Sequence, residues 1–157
     1  MWWKLPRSQY QAQKGQANKA AFHTIVSSGE IPGLLAYHDG QPLAWCALAP
    51  RERYPSLERS RALQRIDSEP VWSITCLFVA KPFRRQGVTY ELLQAAVTYA
   101  KEQGAKIVEG YPYDVQEAKL PDVYGATGLV SVFQKVGFVE IARRSASQPI
   151  MRFMCER

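Results

Sequence analysis

Residues Val71 to Val79 read Val-Trp-Ser-Ile-Thr-Cys-Leu-Phe-Val, an almost unbroken apolar run of strand-forming residues. A strand with one wet face alternates; a run this apolar suits a strand buried on both faces of a sheet. A basic turn follows, Ala80-Lys81-Pro82-Phe83-Arg84-Arg85-Gln86-Gly87. Leu92, Leu93, Ala96, Val97 and Ala100 then recur at helical spacing to about Gln103. Gly104 stands where a helix takes a left-handed residue to stop. Lys106 to Tyr111 is the next apolar run. Strand, helix and strand in this order form a crossover unit, so the two strands are parallel neighbours. That unit confines the chain to α/β or α+β folds with a mixed sheet and helices on its faces.

The remaining segments complete such a sheet. Gln16 to Ser28 carries Ala20, Ala21, Ile25 and Val26 at helical spacing, with Gly29 as a stop. Gly33–Tyr37 and Leu43–Leu48 flank Asp39-Gly40, a hairpin signal because both turn positions take positive φ. Gly128 to Val136 predicts a short helix ended by Gly137, and Phe138–Ala142 and Ile150–Cys155 predict two closing strands. Pro50 to Pro70 carries Arg51, Arg53, Arg59, Arg61 and Arg65 with little apolar periodicity, and a short helix near Ser56–Leu63. A connection of that length is usually functional or mobile.

The 157 residues predict one domain over 1–157, with no repeat or Gly/Ser linker. No apolar run has the length of a membrane helix, and Met1 to Arg7 lacks a secretory signal's apolar stretch. Cys46, Cys76 and Cys155 form neither a disulfide framework nor a zinc spacing; reduced thiols and a cytoplasmic location follow. His23 and His38 are isolated, so no metal site is expected. The net charge of +6 favours an anionic partner. Glu52, Glu58 and Asp67 interrupt the basic run of 51–65, which argues against a nucleic-acid-binding face.

The chemistry gathers at the turn after Val79. The first N–H groups of a helix lack intrahelical partners, and its dipole adds about half a positive charge. Gly87 permits close approach, and Lys81, Arg84 and Arg85 add full charges; together they form a diphosphate cradle. No Gly-Lys-Ser/Thr follows, and two of the three glycines of a dinucleotide fingerprint are missing.

Leu77-x-Val79 followed by Arg84-x-x-Gly87-x-Thr89 resembles the acyl-CoA-binding segment of the GNAT superfamily of N-acetyltransferases, Gln/Arg-x-x-Gly-x-Gly/Ala at a strand-to-helix turn. Phe133-Gln-Lys-Val-Gly-Phe138 resembles the family's second segment, Tyr-x-x-x-Gly-Phe. Stretches such as Gly-Leu-Leu-Ala-Tyr and Val-Glu-Gly-Tyr-Pro are similar to uncharacterised bacterial members. The resemblance implies a central mixed sheet whose two parallel strands splay apart to admit acetyl-CoA. It implies that backbone groups near Leu77, Phe78 and Val79 pair with the pantetheine arm. The amides of Arg85, Gln86, Gly87, Val88 and Thr89 would hold the pyrophosphate, with charge from Arg84 and Arg85. Phe133 would sit beside the thioester, and Lys135 would reach a CoA phosphate.

Two departures matter. Thr89 replaces a small residue, so its side chain must face away from the phosphates or cap the helix. Phe133 replaces the tyrosine that often protonates the leaving thiolate, which leaves Tyr111, Tyr124 or solvent as the acid. An alkylamine, with a pKa near ~10.4, must first lose a proton. Glu109, alone in an apolar strand, is the leading candidate base, with Asp114 second; the structural alternative for Glu109 is pairing with Arg143 or Arg144. Cys76 is the nucleophile of a ping-pong alternative, without a histidine near it in sequence. Tyr54 and Tyr113 are the favoured acceptor-pocket aromatics, whereas Trp45 and Trp72 read mainly as core. The expected activity is acetyl transfer to a small-molecule or amino-acid amine, with no membrane or nucleic-acid partner; the oligomeric state stays open, a homodimer being one option because many relatives pair through edge strands. A CoA-binding sensor without turnover is the alternative.

Overall fold

The computed structural model describes residues 1–115 and 126–155. Its centre is a six-stranded mixed sheet. The strands are β1 (Gly33–His38), β2 (Gln41–Pro50), β3 (Trp72–Val79), β4 (Ile107–Gly110), β5 (Val139–Ala142) and β6 (Ile150–Met154), in the order β1-β2-β3-β4-β6-β5. Asp39 and Gly40 take positive φ, 48° and 76°, and fold β1 onto β2 as a hairpin. β3 and β4 are the parallel pair, and every other pairing is antiparallel.

Helix α4 (Val88–Glu102) makes the crossover from β3 to β4. Its buried stripe is Leu92, Leu93, Ala96, Val97 and Ala100, as the periodicity predicts. It packs with α5 (Val130–Val136) over Cys46, Leu48, Ile74, Val108 and Met151 on one face of the sheet. Each large apolar side chain buried there contributes about 1.5–3 kcal/mol. Gly104, at φ 84°, closes α4 as the Ala105 N–H reaches back to the Ala100 carbonyl at 2.9 Å.

The opposite face is covered by the chain between β2 and β3. Tyr54, Leu57 and Leu63 pack there with Ala49, Tyr111 and Ile150, and Trp3 closes over them. This is the segment that reads in sequence as a basic connection. It contains α3, shorter than expected at Pro55–Arg59, and it is anchored by a buried arginine, Arg51. Two helices precede the sheet, α1 (Arg7–Ala12) and α2 (Gln16–Ser27). α1 buries none of its residues, so it has no apolar stripe by which sequence could announce it. α5 begins two residues later than the sequence suggests, at Val130 rather than Gly128. No helix among the described residues is long and apolar enough to cross a membrane.

Candidate active site

β3 and β4 pair over three positions only, Trp72 with Val108, Ser73 with Glu109 and Ile74 with Gly110. Beyond them β3 stays bonded to β2 as far as Val79 opposite Ala44. Its other edge, Thr75 to Val79, has no strand partner among the described residues. Three features pull the strands apart. In the β2–β3 register Ala47 faces Cys76 and Leu48 faces Ile74, so Thr75 is the extra residue of a bulge. The chain after β4 turns to a different partner: the Tyr113 N–H donates to the Gly128 carbonyl at 2.8 Å, and the Val130 N–H donates to that of Tyr113 at 3.0 Å. Phe133 is the wedge. It is fully buried, and a Cβ on Gly110 would stand 2.2 Å from its ring. A Cβ on Gly128 would meet both Phe133 and Leu77 at 2.8 Å. Only glycine fits on either side of that ring.

The turn after β3 lies at the mouth of this opening. Arg85 and Gly87 take left-handed backbone, φ 61° and 82°, and Gly87 is the N-cap of α4. No side chain caps the helix, Thr89 included. The N–H groups of residues 85 to 89 have no acceptor among the described residues. Consecutive free amides in such a turn form an anion-binding concavity at the positive end of the helix dipole. Arg84 and Arg85 are exposed beside it. The Arg84 Nε donates to the Val79 carbonyl at 2.9 Å, and the Gln86 amide donates to that of Pro82 at 2.9 Å, which folds the turn onto the end of β3. Leu77 is buried under α4, whereas Phe78 is half exposed on the other face, so these residues offer the free edge their backbone rather than their side chains. Lys135 is exposed on α5.

A cleft of about 1000 Å³ reaches the bulge from the other face of the sheet. Trp2, Trp3, Tyr54, Thr75, Cys76 and Tyr113 are among its lining residues, and Trp45 joins them rather than the core, its ring edge-on to Phe22 at 5.8 Å. Trp72 lies elsewhere, against Tyr99 of α4. Burial pushes the Tyr54 hydroxyl and the Cys76 thiol above their ordinary pKa values. Thr75 lies close enough to hold down part of the rise at Tyr54, yet neither hydroxyl reaches hydrogen-bond geometry. A thiol protonated in this way is a weak nucleophile.

Glu109 and Tyr111 lie beneath the cleft, and they do not line it. Both carboxylate oxygens of Glu109 are engaged. One accepts from Arg51 Nη1 at 2.8 Å and from the Tyr111 hydroxyl at 2.7 Å; the other accepts from Arg152 Nε at 2.8 Å. Arg51 also donates to Tyr111, to Glu58 and to the Leu63 carbonyl, and Arg152 pairs with Asp67. Ser73 bonds the Tyr111 hydroxyl at 2.8 Å. Burial, then the neighbouring Glu109 charge, raises the Tyr111 pKa well above the usual phenol value. Burial works against the Arg51 charge, but Tyr111, Glu58 and Glu109 outweigh it and its pKa rises.

The arginines on Glu109 are thus Arg51 and Arg152, not Arg143 or Arg144. Arg143 bridges Asp114 and Glu140 instead, and Arg144 donates to the carbonyls of Gln64 and Arg65. Arg152 carried a signal: it is a lone cation in an apolar strand, as Glu109 is a lone anion, and the two face each other in the β4–β6 register. Arg51 carried none that distinguishes it from its four neighbouring arginines. Tyr124 lies outside the described residues. Among the described residues no group of His, Cys, Asp or Glu could hold a metal.

A mixed sheet parted between two parallel strands, with an uncapped helix start at the parting, offers an extended arm a free strand edge and an anionic group a set of free amides. The comparisons name the family. The chain belongs to the acetyltransferase (GNAT) family, whose model matches residues 1–118. Among curated proteins none is similar in sequence. A GNAT-family acetyltransferase from Streptococcus agalactiae superposes with TM-score 0.57 at 13% identity, over 95% of this chain and 79% of that one. A ribosomal-protein-alanine N-acetyltransferase from Brucella melitensis gives TM-score 0.53 at 13% identity, over 87% and 76%. The NatC complex bound to Gag peptide and CoA gives 0.55 at 8%, over 86% and 78%. At such identities the likeness is one of fold. The family uses acetyl-CoA, and the parted strands and free amides at 85–89 fit the arm and diphosphate of that molecule.

Proposed function

We propose that this protein transfers an acetyl group from acetyl-CoA to a small-molecule primary amine by direct attack. The observation that carries the reading is the β3–β4 seam, closed for three residue pairs and then open beside the unpartnered amides of α4. Acetyl-CoA, when bound, supplies an activated acyl carbon and a thiolate leaving group. The free edge of β3 from Thr75 to Val79 receives the arm as an added strand would be received. The amides of 85–89 hold the diphosphate, with charge from Arg84 and Arg85, and Lys135 reaches a further phosphate. Backbone N–H groups at the bulge polarise the acyl carbonyl.

The amine nitrogen bonds to the acyl carbon, and the carbon–sulfur bond breaks with its electron pair going to sulfur. One proton leaves the nitrogen for solvent, since no carboxylate among the described residues lines the cleft, and one ends on sulfur. Phe133 cannot supply that last proton. Tyr54 and Tyr113, which line the cleft, are described groups that can supply it, with solvent as the further source. Glu109 and Tyr111, whose polar atoms are all engaged below the cleft, act as positioning residues: they hold β4 against β3 and β6 so that the seam opens where it does.

The test is calorimetry with acetyl-CoA, followed by thiol release with an amine panel. Heat with turnover supports the proposal; no heat overturns it. Heat without turnover of any amine selects the second reading, a CoA-binding sensor, which the phenylalanine at 133 and the locked Glu109 favour.

A further inference from the structure

The cleft on the acceptor side has three unlike zones. On its floor Tyr54, Thr75 and Thr127 are 1%, 0% and 7% exposed; the Tyr54 and Thr75 hydroxyls lie near each other, and none of the three has a partner in full hydrogen-bond geometry among the described residues. A buried hydroxyl left unpaired costs about 1–3 kcal/mol. Three in one cavity mark the place where a polar ligand atom completes them. The walls are aromatic, with Trp3, Phe22 and Trp45 among them. The rim is cationic. Arg7 and Arg59 are exposed there; Arg59 donates to Ser56 Oγ at 3.3 Å, and Arg7 lies over the Trp2 ring at 6.0 Å. Neither meets a carboxylate among the described residues. Lys4, a third cation, is answered by Glu30 at 2.9 Å. No Asp or Glu among the described residues lines the cleft.

We infer that the acceptor is a primary amine on an apolar, ring-bearing body with a carboxylate at the end far from the amine. The inference rests on the acyl-transfer reading and adds to it the class of substrate. Neutral hydroxyls beside the bulge suit an amine that has shed its proton, since no carboxylate among the described residues lines the cleft to hold an ammonium. The aromatic walls take the body by burial and ring stacking. Arg7 and Arg59 pair with the distal carboxylate, and they repel a second ammonium. Polyamines and other polycations are therefore poor acceptors.

Three amines that share one ring test this: 4-(aminomethyl)benzoate, 4-methylbenzylamine and 4-(aminomethyl)benzylamine, each with acetyl-CoA and thiol release as readout. The expected kcat/KM falls in that order, by roughly tenfold or more from first to last. Arg59→Glu reverses the order. Calorimetry of the benzoate with the protein alone shows binding that weakens between about 0.05 and 0.5 M salt. A flat or reversed order in the native protein, an order unmoved by Arg59→Glu, or no binding of the benzoate overturns the inference while acetyl-CoA binding stands. Loss of acetyl-CoA heat itself takes down the acyl-transfer reading and this inference with it.

Discussion

At its Trp72–Ile74 end β3 is zipped to β4, and the polar groups behind the seam are fully paired. Glu109 has two guanidiniums and a phenol, Tyr111 has Ser73, and Arg51 has four acceptors. A few residues further along the same strand, among the described residues, the edge has no strand partner, the amides of the next turn have no acceptor, and three buried hydroxyls surround a cleft. One strand thus carries a satisfied half and an unsatisfied half. Burying charge is costly unless each partner is in place, so the lower half is over-determined and rigid. Unmet hydrogen-bond capacity in the upper half is tolerated because the lower half holds the frame, and that capacity is what a ligand uses.

This contrast predicts that substitutions below the opening act on stability and substitutions at it act on binding. Arg51→Ala, which leaves Glu109 with a broken buried pair, lowers urea stability by about 3–5 kcal/mol. A loss under about 1 kcal/mol would show that the lower half is not the frame. Gly110→Ala sits at the boundary. Its Cβ would enter the Phe133 ring at 2.2 Å, and overpacking of this kind costs about 1–3 kcal/mol. Phe133→Leu in the same chain recovers part of that, read as coupling in a double-mutant cycle. Gly87→Val places a side chain in open space at φ 82°, so its cost is backbone strain alone, about 1–2 kcal/mol. If the proposed site is right, its effect on acetyl-CoA heat exceeds its effect on melting, because the displaced amides are those assigned to the diphosphate.

The smallest effect is one of pH. The Arg152 hydrogen bond holds the Asp67 carboxyl below its ordinary 3.8. A folded-state pKa below the unfolded one means that the pair's contribution is complete above that value and is lost as pH falls through the lower one. Asp67→Asn flattens this acid limb of the melting-temperature profile, by under about 1 kcal/mol because Asp67 is partly exposed.

The crossover unit was legible because its signals are local. Val71–Val79 is apolar enough to be central, α4 shows its stripe, and Gly87 and Gly104 stand at turns that require left-handed backbone. The basic turn was legible for the same reason. The partners of Glu109 were not. Arg51 and Arg152 lie 58 and 43 residues from it in the chain, and nothing in the arginine run around Arg51 says which member turns inward. The wedge role of Phe133 was also hidden, since it depends on Gly110 and Gly128 flanking the ring from different elements.

Chain order and periodicity alone determined that two parallel strands flank a helix that starts from a basic, glycine-bearing turn, because those properties belong to neighbours in sequence. Where the strands part, which carboxylate is locked and which hydroxyls are left unpaired were decided only by packing. Pairing competes among groups that meet across the sheet, and the winner is set by distance in space rather than along the chain.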